Sequence, residues 1–83
     1  MFTVYILLTS ADTFYIGQTS DLEKRLEEHK SRGPKSAKYM KYFSSFKLVY
    51  KEYFSSRSEA MKREVELKRL SRPEKEVLVN SYS

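Results

Sequence analysis

Two short strand-like segments near the start of the chain, separated by only four residues, most constrain its fold. Residues 2–8 and 13–18 are rich in aromatic and β-branched side chains, which favour strands. The polar stretch 9–12 between them is typical of a turn, so the pattern predicts an antiparallel hairpin. Because side chains alternate between the two faces of a strand, a turn centred on the second of these four residues would place Tyr5 opposite Tyr15.

The rest of the chain supplies a third strand and helices to cover the sheet. Residues 46–54 have a strand-like composition, and Ser56 and Glu59 have the spacing of a helix capping box, as do Ser20 and Glu23. Helices are predicted over residues 21–30, 35–43 and 56–70 and from residue 72 onwards. We therefore expect an α/β fold, in which a small three-stranded antiparallel sheet is flanked by helices, and a single domain over residues 1–83.

Composition limits how such a domain can be stabilised and where it works. The 83 residues include no cysteine and one histidine, which excludes a disulfide framework, a thiolate zinc site, an iron–sulfur cluster and a histidine-rich metal site. The apolar runs are too short for a membrane span or a signal peptide. We expect a cytoplasmic protein that does not act at a membrane.

The charge distribution indicates a polyanionic partner. The chain has a formal net charge of +5, and residues 24–47 alone carry eight basic and two acidic side chains, a net charge of +6. Aromatic residues interleave with these cations, which suits combined base stacking and phosphate contact. A solvated basic surface would give the same composition. The aromatic residues are Tyr39, Tyr42 and Phe43, and the cations best placed to follow a nucleic-acid backbone are Lys35, Lys38 and Lys41.

Two polar residues lie on the edge of the apolar stripe of the first helix. Helical periodicity groups Arg25 and His29 with two leucines that are ordinary core positions. Taken alone, Arg25 is interpreted as a solvated surface charge and His29 as a residue at the surface or at the rim of the core. Their predicted position beside Tyr5 and Tyr15 makes all four candidate functional residues.

A carboxylate also falls on the apolar arc of the long helix that follows the third strand. The arc runs through Ala60, Met61, Val65 and Leu67 and contains Glu64. A carboxylate there is costly unless it is paired or bound to a metal. Pairing with Lys68, four residues on, is the structural explanation. The functional one is a Mg²⁺ site with a single carboxylate, completed by water and substrate phosphate.

Together these residues resemble the signature of the GIY-YIG nucleases. The shared features, in order along the chain, are Thr3-Val4-Tyr5, Tyr15-Ile16-Gly17, Arg25, His29 and Glu64. The likeness is greatest to the short stand-alone bacterial branch, which is related to the nuclease module of the excision-repair protein UvrC. This chain departs from the pattern at three places: Thr3 and Val4 replace Gly and Ile, Gln18 stands where some relatives have Lys, and residues 72–76 lack the Asn that some members carry.

The resemblance implies a divalent-metal-dependent endonuclease that hydrolyses phosphodiester bonds, in DNA in preference to RNA, in repair or recombination. In that scheme Glu64 holds Mg²⁺ or Mn²⁺. The implied catalytic residues are Tyr15 as general base that activates water, Tyr5 as the residue that positions it or shares the proton, Arg25 on the scissile phosphate and His29 as proton shuttle or phosphate contact. Ile16 and Gly17 complete the structural motif. A partner protein would supply specificity. Two alternatives remain open: a nucleic-acid-binding module with little or no activity, and an adaptor that uses the last helix.

Overall fold

The computed structural model of the protein describes residues 1–31 and 45–82, and the expected α/β fold is confirmed there. The strands form one antiparallel sheet in the order β2-β1-β3, so β2 is an edge strand. The elements are β1 (Phe2–Thr9), β2 (Phe14–Thr19), α1 (Leu22–Ser31), β3 (Phe46–Phe54), α2 (Arg57–Lys68) and α3 (Arg72–Tyr82). The predicted helix over 35–43, and with it Lys35, Lys38 and Lys41, lies outside the described residues.

The hairpin forms, but its register differs by two residues from the one predicted. Tyr5 pairs with Gly17 rather than with Tyr15. The turn is centred on Ala11, one residue beyond the predicted centre, because the Thr9 amide donates to the Thr13 carbonyl at 2.9 Å and Asp12 adopts a φ of 61° between them. A shift of two residues preserves which face each side chain is on, so Tyr5 and Tyr15 still share a face.

The helices cover opposite faces of this sheet. α1 packs on the face that carries Tyr5 and Leu7, whereas α2 and α3 pack on the face that carries Val4, Ile6 and Ile16. The candidate residues therefore do not all lie on one face of the sheet. Those of β1, β2 and α1 belong to one face, and Glu64 of α2 comes from the other.

Local hydrogen bonds set where each helix begins. The Asp21 carboxylate accepts from the Lys24 amide at 3.2 Å, so α1 is capped by Asp21, and the predicted capping by Ser20 and Glu23 is wrong. Ser56 caps α2 as predicted, accepting from the Glu59 amide at 3.3 Å.

None of the three described helices combines the length and the hydropathy that a membrane crossing requires.

The buried stripe of α2 is narrower than the predicted apolar arc. Ala60 and Leu67 are fully buried, but Met61 and Val65 are 48% and 47% exposed, so their placement in the core is wrong. Ala60 and Leu67 lie two turns apart, almost in line along the helix, and this line faces the sheet. Met61 and Val65 are rotated by roughly 100–150° from that line and face solvent, while Glu64 lies at its rim.

An arginine at the start of α3 fixes the tip of the hairpin. The Arg72 guanidinium stacks over the Phe14 ring at 4.4 Å from its centroid and donates to the Asp12 carbonyl and, at 3.1 Å, to the Asp12 carboxylate. It also pairs with Glu76 at 3.6 Å. These contacts hold the start of β2 against α3 and so help to shape the groove at the edge of the sheet.

Candidate nuclease site at the edge of the sheet

The glycine of β2 is required by the close approach of a tyrosine on the neighbouring strand. A Cβ atom at Gly17 would lie 2.7 Å from the Tyr5 hydroxyl oxygen and 2.9 Å from its Cζ atom. Both distances are shorter than real Cβ contacts. Gly17 has an ordinary negative φ, so space and not backbone conformation selects glycine here. The hydrogen side chain lets the Tyr5 ring lie flat across β2 with its hydroxyl group directed past the strand.

That hydroxyl group belongs to a buried polar cluster formed by Tyr5, His29 and Arg25. Tyr5 is 1% and His29 2% exposed, and the Tyr5 oxygen lies 3.3 Å from His29 Nε2. Arg25 also makes a side-chain hydrogen bond to Tyr5 and pairs with Glu28 at 3.2 Å. Since the guanidinium can only donate, the arrangement that satisfies most groups has Tyr5 accept from Arg25 and donate to Nε2. The ring proton of His29 is then on Nδ1, which has no hydrogen-bond partner in the described part of the chain.

Burial determines the protonation state of this cluster. Burial first, and then the nearby Tyr15, raise the pKa of Tyr5 to about 12, against the opposing effect of Arg25. Burial and the positive charge of Arg25 lower the pKa of His29. Burial also acts to lower the pKa of Arg25, but its hydrogen bonds to Tyr5 and Glu28 raise it overall. At neutral pH the cluster therefore contains a protonated tyrosine, an uncharged imidazole and one fixed positive charge.

Tyr15 connects this cluster to the surface. Its ring centroid lies 6.4 Å from that of Tyr5 and 5.5 Å from that of His29, and the side chain is half-buried. On its other side Tyr15 lines a groove of about 390 Å³ that follows the edge strand β2. The remaining residues of the groove wall are Phe14, Ile16, Glu64, Lys68 and Lys75.

The groove brings a carboxylate from the opposite sheet face alongside Tyr15. The Glu64 side chain is 20% exposed and pairs with Lys68 Nζ at 3.1 Å, so the predicted ion pair forms. Its negative charge also contributes to raising the pKa of Tyr5, although least among the groups that shift it. Tyr15 and Glu64 line the same groove because β2 is an edge strand. A side chain of α2, on one face of the sheet, can therefore reach past this edge to a residue of the other face.

The oxygen donors of this groove fit one class of metal. In residues 1–31 and 45–82, no three His, Cys, Asp or Glu side chains gather as a metal-binding cluster. One accessible carboxylate is too few for a tetrahedral zinc site but suits Mg²⁺ or Mn²⁺, whose remaining positions are filled by water and substrate phosphate. Glu64 is the residue that would hold such an ion.

The structure thus places the five predicted site residues in two adjoining layers. Tyr5 and His29 are buried, whereas Tyr15, Arg25 and Glu64 reach the surface. Sequence reasoning also missed Lys75, which lines the groove. The sequence shows only that Lys75 lies one turn after the start of the last helix. That position indicates a site residue only once α3 is known to pack beside β2.

Comparison with known proteins matches residues 1–77 to the GIY-YIG catalytic domain. The chain is 47% identical over 76 residues to a UPF0213 protein of Syntrophus aciditrophicus, covering 92% of this chain and 86% of that relative. It is 41% identical over 78 residues to a UPF0213 protein of Halobacterium salinarum, covering 94% and 99%. The solution NMR structure of a UPF0213 protein from Bacillus halodurans is similar, with a TM-score of 0.61 and 42% identity, and covers 96% of this chain and 84% of that one.

Proposed function

Since the chain belongs to the GIY-YIG nuclease family, among its short stand-alone UPF0213 members, we propose that it is a divalent-metal-dependent endonuclease that hydrolyses phosphodiester bonds in DNA. The observation that carries the proposal is the shared groove of Tyr15 and Glu64, with the positive charge of Arg25 close behind Tyr15. We place the activity in DNA repair or recombination, in line with the resemblance to the excision-repair nuclease module.

Each residue of the site has an assigned part in hydrolysis. Arg25 binds the scissile phosphate and stabilises the negative charge that develops on it. Tyr15, which lines the groove, acts as general base in its phenolate form: it takes the proton of the attacking water and becomes the neutral phenol. Tyr5 is protonated at neutral pH, because its pKa is about 12, and therefore acts through hydrogen bonds that position its neighbours. His29 accepts a hydrogen bond from the Tyr5 hydroxyl group at Nε2 and so fixes the orientation of that ring.

Glu64 would hold the divalent cation, Mg²⁺ or Mn²⁺, on the α2 side of the groove. When bound there, the cation supplies Lewis-acid stabilisation of the phosphate and the leaving group. For the carboxylate to accept it, Glu64 must loosen its ion pair with Lys68. Loosening this ion pair costs little free energy, because the Lys68 side chain is 56% exposed and solvent-exposed ion pairs contribute little to stability.

The ion pair also favours a second candidate function, a nucleic-acid-binding module without efficient catalysis. Glu64 already has a structural partner at 3.1 Å, which by itself accounts for a carboxylate at the rim of the core. A module of this kind would hold DNA or RNA in the presence of a chelator and would cleave neither. The two candidates therefore differ in whether Glu64 is needed for a metal-dependent step.

The experiment compares Glu64→Gln with a control on the same helix, Glu66→Gln, whose carboxylate pairs with Arg63 at 3.4 Å and is 60% exposed. Labelled duplex, branched and single-stranded DNA and matching RNAs are incubated with Mg²⁺, Mn²⁺ or chelator. We expect metal-dependent cleavage of DNA by wild type and Glu66→Gln and none by Glu64→Gln. Thermal unfolding with millimolar metal should show stabilisation of the same two proteins only.

Two results would count against the proposal. Cleavage by Glu64→Gln at the wild-type rate would remove Glu64 as the metal residue. Absence of metal-dependent cleavage by the wild type on every substrate, together with binding that persists in chelator, would establish the binding module instead.

A further inference from the structure

We propose that Lys75 of α3 binds a backbone phosphate of the substrate, beside the phosphate at which cleavage occurs, and so extends the nucleic-acid interface beyond the basic stretch 24–47. The proposal rests on the proposed function, since it names a contact of the same substrate. Its starting observation is that Lys75 lines the groove that Tyr15 and Glu64 share.

Lys75 forms no ion pair with a described residue, whereas the neighbouring cations Lys68 and Arg72 do. Lys68 pairs with Glu64, and Arg72, the other cation of the first turn of α3, pairs with Asp12 and Glu76. Among the described residues, no carboxylate lies within ion-pair distance of the Lys75 ammonium group. The side chain is nevertheless half-buried, whereas the residues on either side of it are exposed. A half-buried lysine that lines a groove and has no carboxylate partner is suited to binding an anion.

The position of Lys75 also complements that of Arg25. Arg25 belongs to α1, on one face of the sheet, and Lys75 to α3, on the other, with the edge strand β2 between them. A nucleic-acid strand that crosses the edge of the sheet at β2 would have Lys75 in the groove on one side of this strand and Arg25 on the other. Because its phosphates repeat along the strand, a second cation at the groove fixes the register in which the scissile phosphate reaches Tyr15.

The composition and size of the groove favour a phosphate of a nucleic-acid chain as the anion. Its wall combines Lys75 and the paired Lys68 and Glu64 with the aromatic rings of Phe14 and Tyr15, and its volume of about 390 Å³ exceeds what a single compact ion needs. Cations beside aromatic surfaces are the combination by which proteins hold single-stranded or splayed nucleic acid.

The test measures DNA binding in chelator, so that no cleavage contributes, as a function of salt concentration. Lys75→Gln is compared with Lys62→Gln, which removes the same charge from an exposed position beside Met61 and Val65, outside the groove. Each phosphate contact contributes about 0.9 to the slope of log K against log salt. We expect Lys75→Gln to reduce the slope by about 0.9 and to weaken binding by about tenfold at 50 mM salt, and Lys62→Gln to leave the slope unchanged.

Lys75→Arg keeps the charge and should retain the wild-type slope of log K against log salt. That result would show that a smaller slope in Lys75→Gln is due to the lost charge and not to misfolding. Equal slopes for wild type and Lys75→Gln, or equal losses for Lys75→Gln and Lys62→Gln, would overturn the proposal. If metal-dependent cleavage by the wild type persists in that case, only the Lys75 contact fails and the nuclease assignment stands. If the wild type neither binds nor cleaves DNA, both fail together.

Discussion

Replacing Gly17 with alanine should destabilise the protein by forcing the Tyr5 ring out of its place. The new methyl group would lie 2.7 Å from the Tyr5 hydroxyl oxygen and 2.9 Å from Cζ, and the ring cannot retreat because it is 1% exposed and bonded to His29. Overpacking of this kind costs about 1–3 kcal/mol, while the lower entropy of the unfolded chain returns about 0.4–1 kcal/mol. We expect a net loss of about 1–2 kcal/mol and a fall in Tm of about 5–15 °C.

Urea unfolding of four proteins checks this reasoning: wild type, Gly17→Ala, Tyr5→Phe and the double variant. Tyr5→Phe removes the 2.7 Å contact but keeps the 2.9 Å one, so the double variant should be more stable than the sum of the single losses predicts. A Gly17→Ala protein as stable as wild type would refute the claim that space selects glycine here. Strictly additive losses would show that the alanine does not act through the Tyr5 hydroxyl group.

Two further predictions concern protonation and the buried stripe of α2. The pKa of Tyr5 is about 12 in the folded protein against an ordinary 10.0, so the protonated Tyr5 contributes its full stabilisation of the fold below pH 10 and loses it as the pH rises towards 12. Over that interval the free energy of unfolding, measured with urea, should fall by about 2–3 kcal/mol more in wild type than in Tyr5→Phe. Leu67→Ala should cost about 2–5 kcal/mol, whereas Met61→Gln and Val65→Thr should change stability by less than about 0.5 kcal/mol; comparable losses in all three would contradict the narrow stripe.

The hairpin shows how far local pattern determines the fold. The composition of β1 and β2 and the polar residues between them predict two strands joined by a turn, and both form. The register could not be fixed in the same way, because it depends on which residue the turn is centred on, and the positive φ of Asp12 is part of a turn centred one residue later than predicted. The shared face of Tyr5 and Tyr15 was nevertheless predictable, since a two-residue shift preserves side-chain alternation.

The long helix shows where periodicity is insufficient. The sequence marks Glu64 as an anomalous carboxylate and Lys68 as its partner, and the ion pair forms at 3.1 Å. Periodicity cannot tell which part of a wide apolar arc faces the sheet, because Met61 and Val65 are as apolar as the residues that become buried. Only packing against the sheet selected Ala60 and Leu67.

The sequence alone selected the five candidate site residues, because the order and spacing of Tyr5, Tyr15, Arg25, His29 and Glu64 resemble the GIY-YIG signature. The tertiary structure decided which of them are accessible. Placing helices on opposite faces of a three-stranded sheet buries Tyr5 beneath α1 and His29 between α1 and the sheet, and leaves the edge at β2 as a place where both faces meet. Burial then sets the proton state of Tyr5 and His29, since a low-dielectric environment disfavours their charged forms. It is at this edge that α3 brings Lys75 beside Tyr15 and Glu64, a proximity that residues 60 positions apart in the chain can acquire only by folding.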